Sequence, residues 1–345
     1  MKRAITTTIA ACCLAATLVV AAGCGSKKSG KSPEVTGLAA VPASAQVVIV
    51  TDVARVLSSP IIERAIDQLM LRDADLAARW QKLRDTCKID MATISHVALA
   101  IGPKTGDSPG TGPVLMVVTG KLVEADLATC VRAMVGQGGG QLIAKEAYGH
   151  TLYQAVDANR TMYFAFGRPD TVVLGSNEKY VTEALGTGTK VSDDPEMKRW
   201  ISRADQKAPV WAAGRVDDRV KTGLVRVTNG QLKEGPQAML VALDPTNGAK
   251  IEVSSVMASD ADAKTLESYA KTQLGALAMA AQAKRLGRVV EKVQISSENE
   301  TVRFKADLGM DEVNLLISVL DGEAPREQIS PPPASGSAIG SGSGL

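Results

Sequence analysis

The sequence has few aromatic residues, and its mature part carries no excess charge of either sign. Phe, Trp and Tyr make up 3% of the 345 residues, too few for a surface that binds nucleic acid by stacking bases on aromatic rings. The formal net charge of +2 comes from Lys2 and Arg3, since removing these two from the 39 basic residues leaves 37, against 37 acidic ones. A neutral body has no electrostatic footprint for nucleic acid. We therefore predict no nucleic-acid partner.

Histidine is also scarce, with His96 and His150 as the two examples in the chain. Two histidines are too few for a multi-histidine metal site. His96 precedes a predicted strand and His150 lies in a Tyr-Gly-His turn, which favours surface or edge histidines over catalytic bases. No nucleophile elbow, zincin motif or dinucleotide-binding fingerprint occurs. The sequence therefore predicts no metal site, no cofactor and no enzyme activity.

Paired acidic residues are the remaining feature that could suggest catalysis or calcium binding. All of them stand at predicted helix starts, where a carboxylate accepts hydrogen bonds from free N–H groups and meets the positive end of the helix dipole. Helix capping therefore accounts for them. The pairs are Asp193 with Asp194, Asp217 with Asp218, and Asp260 with Asp262.

The first 24 residues read MKRAITTTIAACCLAATLVVAAGC and have the pattern of an export signal. Two cations are followed by an apolar run over 9–22 and then by small residues before a cysteine. The run is shorter than the roughly 20 apolar residues that a spanning helix needs, and no charged stop-transfer segment closes it. We predict that residues 1–23 are a signal peptide.

The end of this segment resembles the lipobox of bacterial lipoproteins. Ala22, Gly23 and Cys24 match that pattern, whereas Ala21 departs from it because the family most often has Leu there. The resemblance implies that Cys24 carries lipid, such as palmitate, and multiple acyl chains anchor a protein stably to a membrane. Gly25 replaces the Asp that signals inner-membrane retention in enterobacterial relatives, which favours the outer membrane of the cell envelope. An ordinary secretory peptide followed by a coincidental cysteine is the alternative.

Residues 25–32, GSKKSGKS, match the phosphate-binding pattern G-x-x-x-x-G-K-[ST]. That loop works only when a buried strand leads into it and a helix leaves it, so that backbone N–H groups converge on the phosphates. Here a signal peptide precedes the match and Pro33 follows it. We therefore interpret residues 24–40 as a lipidated flexible tether and predict no nucleotide.

The remainder predicts an α+β fold built from two diverged tandem copies of a mainly antiparallel sheet with helices packed on it. Each copy follows a β-β-β-α-β-β-α order, and the pattern does not decide whether the copies share one sheet. The predicted boundaries are 41–190 for the first copy, 191–204 for a linking helix, 205–322 for the second copy and 323–345 for a disordered tail rich in Pro, Gly and Ser.

The first copy opens with a β-branched run, Val47–Val50, typical of a buried strand. Ser59 and Pro60 then start a helix, and two apolar stripes follow that we predict to face the core. Their members are Ile62, Ile66 and Leu69, then Leu76, Trp80 and Leu83. The segment 42–52, with this helix start, resembles uncharacterised envelope domains of bacterial lipoproteins, a resemblance that implies no activity.

Cys87 and Cys130 are the cysteines of the mature body apart from the anchor. An export compartment permits a disulfide between them, worth about 3 to 4 kcal/mol in the chain-entropy estimate. Two buried free thiols are the alternative.

These observations favour a lipid-anchored, non-catalytic envelope protein that binds another envelope protein or a small ligand. Duplication often creates a cleft between the copies, and the glycine-rich loops 102–113 and 136–140 are candidate lips, with simple turn chemistry as the alternative. A secreted hydrolase with residues brought together from distant positions is the rival hypothesis. A structural component of envelope assembly is the third.

Overall fold

The computed structural model describes residues 34–87, 89–104, 112–157, 160–283 and 286–320. The predicted signal peptide, Cys24, the phosphate-loop match and the predicted tail lie outside the described residues. What the sequence predicts for them therefore stays a prediction.

A single antiparallel sheet of 12 strands forms the framework, in the order β11-β12-β10-β9-β8-β1-β2-β3-β7-β6-β5-β4. The α+β prediction is thus confirmed, and both copies lie in one sheet. The strands are β1 (Val47–Asp52), β2 (Ile94–Ile101), β3 (Val114–Gly120), β4 (Gln141–Ala147), β5 (His150–Asp157), β6 (Arg160–Arg168), β7 (Thr171–Gly175), β8 (Val210–Arg215), β9 (Ala238–Asp244), β10 (Ala249–Val256), β11 (Val293–Glu298) and β12 (Thr301–Leu308).

The two halves of the sheet repeat one strand order outward from the central β1–β8 pair. The first copy runs β1-β2-β3-β7-β6 and the second runs β8-β9-β10-β12-β11. Ile49 lies opposite Ala212 at the middle of the central pair, which is the position of the pseudo-two-fold axis. The first copy departs from the shared plan because β5 and β4 extend its outer edge.

Helices follow the strands and begin where capping residues predict. Ser59, which precedes Pro60, accepts a hydrogen bond from the N–H of Ile62. Asp194, which precedes Pro195, accepts one from the N–H of Met197. The helices are α1 (Val53–Leu57), α2 (Pro60–Arg72), α3 (Ala74–Cys87), α4 (Glu124–Gln137), α5 (Glu178–Leu185), α6 (Pro195–Arg203), α7 (Asp218–Val227), α8 (Asp260–Ala283), α9 (Gly287–Glu291) and α10 (Met310–Leu320).

One face of the sheet, which we call face A, carries a core that both copies build together. Side chains of central strands, such as Val48, Leu115 and Trp211, pack there with residues of α5 and α6. The opposite face B has two smaller clusters, one per copy, around Phe164 beneath α1 and α4 and around Val302 beneath α8. The copies therefore share their largest core.

The apolar stripe predicted to bury α2 in the core is an error. None of the described side chains of α2 is buried, and Leu69 is 50% exposed. The reason is that α2 packs mainly on α1 and α3 instead of on the sheet. Trp80 on α3 is half-buried, and the side chain of Leu83 lies outside the described part.

The folded region begins earlier than the predicted tether boundary at 40. Val35 and Ala40 are buried, and residues Gly37–Ala40 form a 3-10 helix. Val35 fills a position over β6 that needs glycine, since a Cβ on Gly167 would lie 2.1 Å from a methyl of Val35. Apolar side chains in this segment therefore pack into the core of the first copy.

Candidate functional site: a cleft between the two copies

A cleft of about 790 Å³ lies where the two copies meet. This volume is within the range of small-molecule sites. Residues from both copies line it, among them Val47, Ile101, Gly102, Trp200, Arg215 and Val220. The cleft between duplicated units that the sequence suggests is therefore present in the structure.

The antiparallel pairing of the central strands brings these residues to one edge of the sheet. Val47 at the start of β1 pairs with Ile101 at the end of β2 and with Gly214 near the end of β8. The loop that leaves β2 forms one lip. The two ends of this loop approach each other closely. A Cβ on Gly112 would lie 2.2 Å from the carbonyl oxygen of Gly102, so glycine is needed at position 112.

Trp200 of α6 and Arg215 of β8 form one wall of the cleft. The guanidinium carbon of Arg215 lies 5.3 Å from the ring centre of Trp200, a cation–π distance. Ion pairs with Asp194 at 3.1 Å and Glu196 at 2.9 Å hold this guanidinium in place. The result is a wall whose polar side is fixed before any ligand arrives.

The indole N–H of Trp200 is a buried hydrogen-bond donor. Trp200 is 2% exposed, and its Nε1 atom has no hydrogen-bond partner in the described part of the chain. A buried donor without a partner is unfavourable and rare in folded proteins. Trp200 lines the cleft, but its Nε1 atom itself has almost no exposed surface.

Most charges around the cleft are already paired within the protein. Lys104 of the lip forms an ion pair with Asp217, and Lys221 lies 3.0 Å from Asp218. Arg219 has no ion pair among the described side chains. The cleft therefore offers apolar walls and a few oriented polar groups instead of a strong field of one sign.

Tyr180 of α5 packs behind the lip, with its ring 3.3 Å from the position of a Cβ on Gly102. Burial raises the pKa of Tyr180 to about 12. Its hydroxyl lacks a hydrogen bond of good geometry among the described residues, although Ser44 lies near enough to oppose the shift. Tyr180 thus supports the lip as a neutral, buried ring.

The two candidate lips have different outcomes. In the 102–113 loop, Gly102, Pro103, Lys104 and Gly112 line the cleft, while residues 105–111 lie outside the described residues. The 136–140 loop is not a lip, because it forms the turn between α4 and β4. Gly140 packs there against β5, where an added Cβ would lie 2.2 Å from the carbonyl oxygen of Val156.

The two histidines lie far apart. His96 is exposed on β2 and His150 is half-buried at the start of β5. Strands β3, β7 and β6 separate them, and four strand spacings amount to about 19 Å. Neither residue lines the cleft, so the structure does not combine them in one site.

Capping explains most of the acidic pairs. Asp194 and Asp217 cap α6 and α7, and Asp193 accepts a hydrogen bond from the N–H of Lys190 at 2.8 Å. Asp262 is an exception, because Ser259 caps α8 instead. Asp262 is 5% exposed and accepts hydrogen bonds from the backbone of the loop before β9 and from the hydroxyl of that serine.

Cys87 and Cys130 form a disulfide in the structure, with their Cα atoms 4.9 Å apart. The bond joins the end of α3 to the middle of α4. Among the described residues, no group of three or more His, Cys, Asp or Glu side chains is placed to hold a metal ion. No helix in the described ranges has the length and apolar character needed to cross a bilayer.

A larger open groove of about 940 Å³ lies on face A of the second copy. Acidic and basic side chains alternate on the strands that form the bottom of this groove. Glu252 pairs with Lys305 at 3.1 Å and with Arg303 at 3.7 Å. Such a surface is the ordinary solvent face of an antiparallel sheet. The cleft, with its apolar wall and the fixed guanidinium of Arg215, is the better candidate site.

Comparison with known proteins finds no matching family model and no matching curated protein. A solved structure, crystal form I of TP0453, is similar to this chain at a TM-score of 0.44 and 14% sequence identity, over 84% of this chain and 98% of that one. A likeness this distant carries no argument about function.

Proposed function

We propose that this chain is a lipid-anchored protein of the bacterial cell envelope that binds a small envelope ligand in the cleft between its copies and does not catalyse a reaction. The anchor is the acylated thiol of Cys24, and the outer membrane is the favoured location. The ligand class is a molecule with an apolar body and at least one hydrogen-bond acceptor.

The observation that carries the binding proposal is a cleft of ligand size whose wall combines the ring of Trp200 with the fixed guanidinium of Arg215. Ligand sites commonly combine apolar walls with a few oriented polar groups. Val47, Ile101 and Val220 supply the apolar surface. Since the cations Lys104 and Arg215 already have acidic partners, a strongly charged ligand would have to compete with those pairs.

Anchoring at Cys24 would keep the folded part close to the membrane. Val35 is already buried, so about eleven residues connect the lipid to the core. At roughly 3.5 Å per extended residue, this segment spans at most about 40 Å. The cleft would then sample ligands near the bilayer surface.

Filling the cleft should abolish ligand binding. Val220 and Val227 both lie on α7 and are each 54% exposed, but only Val220 lines the cleft. Val220→Arg places a long charged side chain in the cleft, and Val227→Arg is the matched control. Native mass spectrometry of protein purified from its own cells should show one added mass on the wild type and on Val227→Arg, and none on Val220→Arg. Added mass on both variants, or on no form, would contradict the proposal.

Lipid attachment is tested separately by growth with radiolabelled palmitate. The label should enter the wild-type chain and should be absent from Cys24→Ser, because that substitution removes the acceptor thiol. An unlabelled wild-type protein would refute the anchor while leaving the cleft proposal intact.

A further inference from the structure

The sheet has two outer edges, and in the described part of the chain a helix side chain covers one of them. At β11, the carboxylate of Glu267 on α8 accepts hydrogen bonds from the hydroxyl and the backbone of Ser297. Covering side chains are a common protection of edge strands, which otherwise offer unpaired N–H and C=O groups to another strand. This edge of the sheet is therefore partly closed.

The other edge strand, β4, is exposed over most of its length. Five of its seven residues are exposed, and it pairs with β5 in one unbroken register without a bulge. No proline interrupts it, and Ile143 is 40% exposed on face A. A long, regular edge strand with an exposed apolar side chain is suited to pairing.

Hairpin geometry identifies the backbone groups that β4 leaves free. Tyr148 and Gly149 form a two-residue turn with positive φ at both positions, so the closing pair Ala147 and His150 is hydrogen-bonded. Alternation along the ladder then directs the N–H and C=O groups of every second residue away from β5. These residues are Leu142, Ala144 and Glu146.

We propose that β4 pairs antiparallel with β4 of a second copy of this chain, in a register centred on Ala144. Ala144 then faces its own equivalent, and the two Leu142–Glu146 pairs flank it. This register forms about six hydrogen bonds between the copies, two for each bonded pair. Because the contact is isologous, it uses both free edges and closes the assembly as a dimer with one continuous sheet.

The side chains that this register brings together are compatible with a second copy at this edge. On face A, each Ile143 faces Lys145 of the other chain, so the apolar stem of the lysine covers the exposed isoleucine. Lys145 keeps its ion pair with Glu178 at 2.6 Å, and no like charges stand directly opposite each other. A register centred on Lys145 would oppose two lysines and is disfavoured.

Cysteine cross-linking of the full chain tests both the pairing and its register. Opposite residues of a hydrogen-bonded pair have Cα atoms about 5.5 Å apart, which is within the range for a disulfide. Ala144→Cys should therefore give a disulfide-linked dimer on a non-reducing gel. Glu146→Cys is the control, because its equivalents would be about 14 Å apart although the position is equally exposed. Equal cross-linking of the two variants, or none in Ala144→Cys, would overturn the proposal.

A second measurement uses opposite charges at Ile143, which is exposed enough to tolerate either one. Ile143→Lys places lysine opposite Lys145, whereas Ile143→Glu places glutamate there. Sedimentation velocity should show a dimer dissociation constant at least about tenfold larger for Ile143→Lys than for Ile143→Glu. Indistinguishable constants, or a wild type that stays monomeric at tens of micromolar, would refute the dimer.

Discussion

Replacing Cys87 and Cys130 together by serine is expected to lower the free energy of unfolding by about 4 kcal/mol. The disulfide closes a loop with a sequence separation of 43, and the chain-entropy estimate for a loop of that length is about 4 kcal/mol. Both sulfur-bearing residues are 3% exposed, so the serine hydroxyls add a desolvation penalty in the same direction.

The loop that this disulfide closes contains β2, which pairs with β1 of the central strand pair, and β3, which pairs with β2. Loss of the cross-link should therefore lower the free energy of the cooperative unfolding of the whole sheet. Equilibrium urea unfolding measures the change. The wild type unfolded in dithiothreitol serves as the control, because it loses the cross-link without the desolvation penalty of the serine hydroxyls. A double variant as stable as the oxidised wild type would show that the bond contributes nothing.

Trp200→Ala is expected to lower the free energy of unfolding by about 3 to 5 kcal/mol, as is usual for truncation of a buried large aromatic residue. Trp200 is 2% exposed and belongs to the core that both copies share. Its removal also takes away the ring on which Arg215 stacks. The cavity left at the junction would weaken the contact between the copies.

Trp80→Ala is the matched control for this experiment, because Trp80 is only half-buried on the peripheral helix α3. Trp80→Ala should lower the free energy of unfolding clearly less than Trp200→Ala in the same urea titration. Trp200→Phe keeps an aromatic ring in the shared core and should therefore lower the free energy of unfolding less than Trp200→Ala. Equal destabilisation by Trp200→Ala and Trp80→Ala would contradict the assigned place of Trp200 in the core.

The cleft illustrates what could be anticipated from the residues. Gly102 and Gly112 indicated an irregular loop, and they lie close together at the two ends of the loop that forms one lip of the cleft. No local pattern distinguished Trp200 or Arg215, because they come from a linking helix and from a strand of the second copy. Their meeting depends on the β1–β8 pair, which joins segments about 160 residues apart.

The errors have a common physical origin. The stripe of α2 has helical periodicity, but periodicity reports only that one side of a helix is more apolar. Whether that side meets the sheet depends on where the neighbouring elements leave room, and α2 packs on helices instead. Val35 was assigned to a tether because its packing partner Gly167 lies far along the chain, so their contact leaves no local pattern.

The amino-acid sequence by itself determined the secondary structure, its duplication and most of the helix starts, since these depend on alternation of side chains and on capping groups a few residues apart. Only the tertiary structure decided that both copies share one sheet and one main core, that a cleft opens beside Trp200, and that β4 is an outermost strand of the sheet. These features arise from backbone pairing and burial between distant segments, and the energies of such contacts leave no local pattern in the sequence.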